Sequence, residues 1–215
     1  KECWKLSNEV DDIIEESVDY AFDRELGYIT ACPTNIGTGM RASVMLHLPA
    51  LSITNQIDKL LYGVSQLGVA VRGVYGEGTK SIGHLYQISN QGTLGASEET
   101  LIDKINQIVM QIIDKEKNTR EHLMKNNYDD LEDDFYRAYG LLTNARKMTV
   151  DEAMKLLSLI KLGSEMGITP MVKGKNIYQL MIWIQPNNIS TIDTELSPKD
   201  RDKKRAEIIR RELLR

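Results

Sequence analysis

A thiol, hydroxyls, an amide, glycines and an arginine crowd one stretch of this 215-residue chain: Cys32-Pro33-Thr34-Asn35-Ile36-Gly37-Thr38-Gly39-Met40-Arg41-Ala42-Ser43-Val44. Such a stretch is poor core and good site, because glycine turns bring backbone close to a ligand while the polar side chains supply donors. Arg41 and Arg72 each fall on a predicted strand beside glycine, Gly39 shortly before the first and Gly73 directly after the second. A guanidinium stays charged and offers paired donors to two oxygens, so two of them suit a polyphosphate and the charge that moves in phosphoryl transfer. The same two residues also read as sheet-edge arginines paired with surface carboxylates. Glu77, between Gly76 and Gly78, either orients a cationic substrate and accepts its proton or is a solvated turn residue. Cys32 is either a low-pKa thiol beside the Thr34 hydroxyl or a small buried hydrophobe. His47, His84 and His122 have no metal-ligand spacing with Cys3 and Cys32, so no metal site is expected. No serine-histidine-acid arrangement, Walker P-loop or protein-kinase glycine loop can be read either.

These residues need elements to position them. Trp4, Leu6, Val10, Ile13, Ile14 and Val18 recur at helical spacing, which predicts an amphipathic helix ending before Gly27. Residues 28–32 and 41–48 read as strands around the 33–39 loop, the second stopped by Pro49. Its alternation puts Ala42, Val44, Leu46 and Leu48 on a core face and Arg41, Ser43, Met45 and His47 on a face free for a ligand. A helix over 51–67 and strands over 69–75 and 84–89 follow. Leu101, Ile105, Ile108 and Ile112 then mark a long helix, and the charged stretch to about Tyr139 lacks Gly and Pro. Strands first and helices later favour an α+β fold. A second unit is expected from Met148, making domains of 1–147 and 148–215. Thr149 and Glu152 have capping-box spacing and Gly163 reads as a helix stop. Residues 176–185 read as a short helix, 186–198 as a polar linker and 199–215 as a basic terminal helix.

Lys and Arg number 27 against 31 Asp and Glu, and the net charge of −4 offers no support for a general nucleic-acid or membrane role. Two cysteines, no apolar run of membrane-spanning length and no secretory pattern point to the cytoplasm and free thiols.

The string Cys32-Pro33-Thr34-Asn35-Ile36-Gly37-Thr38 resembles the signature of the phosphagen (guanidino) kinases, and Arg41-Ala42-Ser43-Val44 follows at that family's spacing. Arg72-Gly73-Val74-Tyr75-Gly76-Glu77 is similar to their second segment, and Tyr86-Gln87-Ile88-Ser89-Asn90 to the strand after it. Together these cover about 27–94 in the family's order. Gly37 through Pro49 most resembles the bacterial protein-arginine kinase branch. Arg201-Asp202-Lys203-Lys204-Arg205-Ala206 is similar to that branch's Arg-Asp-x-x-Arg-Ala motif.

The resemblance implies an antiparallel β-sheet packed with helices, like the catalytic domains of glutamine synthetase and guanidino kinases, plus a small C-terminal helical unit. It implies ATP, with Mg2+ bound mainly through phosphates and water. Arg41, Ala42, Ser43, Val44 and Met45 would contact ATP, as would Arg72, Gly73, Val74, Tyr75, Gly76 and Glu77, the two arginines meeting its phosphates. Glu77 would be one of two carboxylates that hold the acceptor guanidinium and take its proton, and Cys32 would align the substrate. At the tail, Arg201, Asp202, Arg205 and Ala206 would bind phosphoarginine and promote activity. Arg201 and Arg205 lie one helical turn apart and can face one phosphorylated side chain, while Asp202 contacts a guanidinium.

The implied reaction is phosphorylation of arginine residues in proteins, which marks them for Clp-type degradation. Implied partners are proteins with exposed arginines, a zinc-binding activator protein, the Clp machinery and a second copy in a homodimer. A helical N-terminal domain, absent upstream of Lys1, would supply further arginines and the other carboxylate, so that this chain alone is weakly active or inactive. Two readings compete: a kinase for free arginine or another guanidino compound, and a non-catalytic phosphoarginine-binding module. A solvated basic helix is the plain reading of the tail.

Overall fold

The computed structural model describes residues 1–73, 81–192 and 196–215. Its contacts divide the chain into two compact units that interleave in sequence. The first comprises Lys1–Leu46, Asp58–Arg72 and Gln87–Ile113; the second comprises His47–Ile57, Gly73–Tyr86 and Asp114–Arg215. Residues 148–215 share the second unit with the segments that precede them.

The first unit opens with α1 (Glu2–Glu15), whose predicted apolar stripe of Leu6, Val10 and Ile13 is exposed. Strands β1 (Phe22–Asp23) and β2 (Gly27–Tyr28) make a short antiparallel pair. The strand expected over 28–32 stops early, because Tyr28 exchanges both backbone bonds with Gly37 (2.8 and 3.2 Å) and Thr30 Oγ1 turns to donate to the Cys32 carbonyl at 2.7 Å. Strands β3 (Ser43–His47), β4 (Val69–Gly73) and β5 (Leu85–Asn90) form a sheet in the order β3-β5-β4. Asn90 N donates to the Ala42 carbonyl at 3.2 Å and Leu48 N to the His84 carbonyl at 2.9 Å, so β3 and β5 run antiparallel.

Two helices, α2 (Pro49–Ile53) and α3 (Ile57–Ser65), replace the single one predicted over 51–67. The break falls at Asn55, whose φ of 55° lies in the left-handed region that asparagine tolerates. Pro49 starts α2 as well as ending the strand, its fixed φ and missing N–H suiting a first helical position. The long helix α4 (Glu98–Asn126) buries Leu101, Ile105, Ile108 and Ile112, as their spacing requires. The chain is α+β, as expected.

In the second unit α5 (Tyr128–Asn144), α6 (Val150–Glu165), α7 (Ile177–Trp183), α8 (Pro186–Ile192) and α9 (Pro198–Leu214) enclose a core of Leu142, Met148, Leu157, Ile160 and Ile209. Thr149 caps α6 by accepting from Glu152 N, as the capping-box spacing predicts. The stop expected at Gly163 does not occur, because this glycine serves packing instead. A Cβ there would lie 2.7 Å from the Phe135 ring and 2.9 Å from Thr169 Oγ1, so its absence lets α5 approach α6. The polar linker expected over 186–198 contains α8, which buries Ile189. Helix α9 is no solvated helix, since Ala206, Ile208, Ile209 and Leu213 are buried.

Several buried polar groups in this unit satisfy one another. Glu116 accepts from the first free amides of α2, Ala50 N and Leu51 N at 3.0 Å each, and from Arg120 Nε at 2.8 Å. Arg120 also donates to Glu165 at 2.7 Å. His47 Nε2 and His84 Nδ1 lie 2.8 and 2.7 Å from Ser158 Oγ, and burial pushes the His47 pKa down to about 3.

Gly163→Ala should destabilise the protein in denaturant unfolding by on the order of 1 kcal/mol, because overpacking against Phe135 outweighs the roughly 1 kcal/mol that alanine gains in a helix. The unfolded chain protonates His47 near an ordinary histidine pKa of about 6.5, whereas the folded chain resists until about 3. The stability that neutral His47 contributes is therefore full above about pH 6.5 and is lost as pH falls towards 3. His47→Gln should flatten this part of a plot of unfolding free energy against pH.

Candidate active site

The site is built on the sheet of the first unit. Alternation buries Val69, Leu46 and Ile88 on one face. The register of β3 on β5, and the bond from Gln91 N to the Gly68 carbonyl at 3.4 Å that aligns β4, bring Arg41, Ser43 and Met45 to the other face with Gln87, Ser89 and Arg72. The two arginines singled out by their glycine neighbours thus share a face, Arg41 two residues before β3 and Arg72 within β4.

Arg41 is exposed, and its Nη2 donates to Ser89 Oγ at 3.2 Å. Asn90 fixes the backbone that carries it: Oδ1 accepts from Ala42 N at 2.8 Å and Nδ2 donates to the Met40 carbonyl at 3.1 Å. Ser43 and Met45 are exposed, whereas Ala42 and Val44 are half-buried. Arg72 is half-buried and Gly73 buried at the end of β4. Val74, Tyr75, Gly76 and Glu77 lie outside the described residues.

Cys32 is exposed, which removes the buried-hydrophobe alternative. Its Sγ lies 3.0 Å from Thr34 Oγ1, and the hydroxyl and backbone of Thr34 hold the thiol below the ordinary cysteine range by favouring the thiolate. Cys32 precedes a single 3-10 turn, Pro33–Asn35, and Thr93 Oγ1 holds the loop by donating to the Ile36 carbonyl at 2.7 Å. Gly37, at φ 116°, packs so closely on Thr93 that a Cβ would lie 2.5 Å from the Thr93 carbonyl oxygen. Beside the same strand a cavity of about 630 Å³ is lined by Trp4, Tyr28, Thr38, Arg41, Ser43 and Glu98 among others.

Ser89 and Asn90 support Arg41, and their only mark in the sequence is that of a polar pair ending an alternating strand. Trp4 donates Nε1 to Glu98 at 2.8 Å across 94 residues, a distance no local pattern conveys. Among the described residues no group of three or more His, Cys, Asp and Glu could hold a metal ion. The donor set of two guanidiniums and a serine hydroxyl on one face fits a polyphosphate.

The tail motif lies in the second unit. Arg201 and Asp202 are half-buried and Ala206 is buried. Arg205 departs from the expected pair of guanidiniums turned to one ligand, for it is 2% exposed. Its Nε donates to the Ile184 carbonyl at 2.9 Å, and its Nη1 to the Met148 carbonyl at 2.9 Å and Asp202 Oδ1 at 2.6 Å. The guanidinium that Asp202 contacts is therefore the chain's own. Among the described residues no helix is long and apolar enough to cross a membrane.

Comparison with known families gives two matches. The ATP:guanido phosphotransferase C-terminal catalytic domain matches residues 1–119, and the protein-arginine kinase McsB C-terminal domain matches residues 128–215. The protein-arginine kinase of Clostridium kluyveri is 50% identical over 214 residues, which are 99% of this chain and 62% of that protein. That of Bacillus subtilis is 45% identical over 213 residues, 99% of this chain and 59% of that protein. The chain therefore spans about three-fifths of the length of these curated relatives. A solved taurocyamine kinase of Schistosoma mansoni is 37% identical, with a TM-score of 0.45, over 51% of this chain and 15% of its own.

Alkylation of Cys32 by iodoacetamide, followed against pH, should show a midpoint below that of an ordinary thiol, and Thr34→Ala should move it up.

Proposed function

From the chain's membership of the ATP:guanido phosphotransferase family, to which it belongs through the C-terminal catalytic domain, we propose that it is the nucleotide-binding portion of a protein-arginine kinase. The observation that carries this reading is the pair Arg41 and Arg72 on one face of the β3-β5-β4 sheet. Residues 1–147 form the catalytic domain and 148–215 a helical extension. Arg41 and Arg72 bind the ATP phosphates, with Ala42, Ser43, Val44 and Met45 beside the first and Gly73, Val74, Tyr75 and Gly76 beside the second.

Bound ATP supplies the phosphoryl group, and Mg2+ travels on its phosphates. Two guanidiniums on a preformed sheet face neutralise the charge that shifts from the γ- to the β-phosphate and need no reorganisation as it moves. An arginine side chain of a protein substrate attacks phosphorus: the new bond is N–P, the bond broken is P–O to ADP, and the departing proton goes to Glu77. Arginine's pKa above about 12 makes early deprotonation costly, so proton loss is tied to attack. Cys32, with its thiolate favoured by Thr34, lies in the loop that aligns the acceptor. The family's N-terminal domain supplies the second carboxylate and further arginines. The protein works in the cytoplasm as a homodimer, with a zinc-binding activator and Clp machinery as partners.

The tail binds phosphoarginine away from the active site. Arg205 shapes the site from within by tying Asp202, Met148 and Ile184 together. Arg201 is then the member left at the surface to meet a phosphate, with Asp202 and Ala206 beside it.

Full-length enzyme supplied with ATP should place acid-labile phosphate on a folded protein in preference to free arginine. Equal or faster labelling of free arginine would replace this reading by a small-guanidino kinase. Arg72→Ala should raise the KM for ATP by roughly tenfold or more while leaving phosphoarginine binding at the tail unchanged. Arg201→Ala should do the reverse, and equal loss of both functions in either variant would argue for one shared site.

A further inference from the structure

The β3 and β5 pair is clamped at both ends. At the end that carries Arg41 the clamp is the Asn90 amide. At the opposite end it is Ser158 of α6, fully buried, with its hydroxyl between His47, the last residue of β3, and His84, the residue before β5. His84 adopts φ 55°, in the left-handed region that few residues other than glycine visit. Gly83 beside it has φ 65°, and a Cβ there would lie 3.0 Å from the Met154 carbonyl oxygen, so this turn is fitted against α6.

The buried Ser158 hydroxyl has no hydrogen-bond partner besides the two imidazoles among the described residues, so its one proton goes to one ring and its oxygen accepts from the other. His47 Nδ1 is buried with no hydrogen-bond partner among the described residues. A buried acceptor left alone is tolerated more often than a buried donor, which leaves Nδ1 unprotonated. The chain of bonds then runs from His47 Nε2–H to Ser158 Oγ and from Ser158 Oγ–H to His84 Nδ1. Glu165, Arg120 and Lys161 surround His47, and Lys155 faces His84.

We propose that Ser158 is a positioning residue: by joining His47 to His84 it holds β3 in register on β5 and so sets where Arg41 and Ser43 stand at the far end of the strand pair. The inference rests on the reading of Arg41 as a phosphate ligand. It adds a determinant outside the sheet, 111 residues from His47 in sequence. Misplacement of a binding group by a fraction of an ångström weakens charge-assisted bonds without removing them, so nucleotide affinity is the property that should suffer.

The test compares Ser158→Ala with Ile160→Val, a core trim on the same helix, both in the full-length enzyme. Each should lower the melting temperature. Only Ser158→Ala should raise the KM for ATP, by roughly fivefold, and speed amide exchange across residues 41–47 and 85–90 by roughly tenfold while α9 stays protected. Equal KM values in the two variants, or unaltered exchange in the strands, would overturn the proposal. A wild-type enzyme that binds no ATP would instead remove the nucleotide reading, and the exchange pattern alone would then decide whether Ser158 holds the strands.

Discussion

Antiparallel pairing of β3 with β5 is the constraint on which the candidate site depends. Side chains alternate along a strand, so a slip of one residue would carry Arg41, Ser43 and Met45 to the face that buries Val69 and Ile88. A guanidinium on that side would be desolvated without a partner. Backbone bonds at both ends of the pair resist the slip, and Asn90 adds two side-chain bonds to the residues that flank Arg41. Arg41 itself spends one donor on Ser89, which aims the fork while leaving other N–H groups for a ligand.

The second unit solves a different problem, that of keeping charge inside. Glu116 would be costly at 3% exposure were it not fully engaged by two α2 amides and Arg120, and Arg120 would be costly without Glu165. Arg205 follows the same rule at the tail. Its planar fork reaches carbonyls that precede α6 and follow α7, which a lysine with a single ammonium could not span in the same geometry. The motif that resembles a phosphoarginine site is therefore part of the fold first, and whatever binds at Arg201 and Asp202 meets a surface that Arg205 has already shaped.

Local patterns revealed much of this architecture. The apolar stripe of α4, the capping box at Thr149, the alternation of β3 and the strand arginines depend on neighbours within a turn or two, and the motifs across 27–94 carried the family resemblance. What stayed hidden depends on distant contacts. Gly163 looked like a stop because glycine usually is one, yet here it admits the Phe135 ring. The 186–198 stretch reads as a linker because its polar residues mask Ile189, which is buried in α8. Arg205 reads in sequence as a partner of Arg201 at one phosphorylated side chain, because nothing near it announces the carbonyls of Met148 and Ile184. Ser158 and its two histidines come from three separate segments, and no spacing rule joins them.

The most direct test of the account is a titration of the protein with Mg2+ and ATP, followed through the backbone amides of residues 41–45 and 72–73. Shared dependence on nucleotide concentration, with both segments reporting one dissociation constant, is the predicted result. Movement of one segment while the other stays still would contradict the claim that Arg41 and Arg72 serve a single polyphosphate.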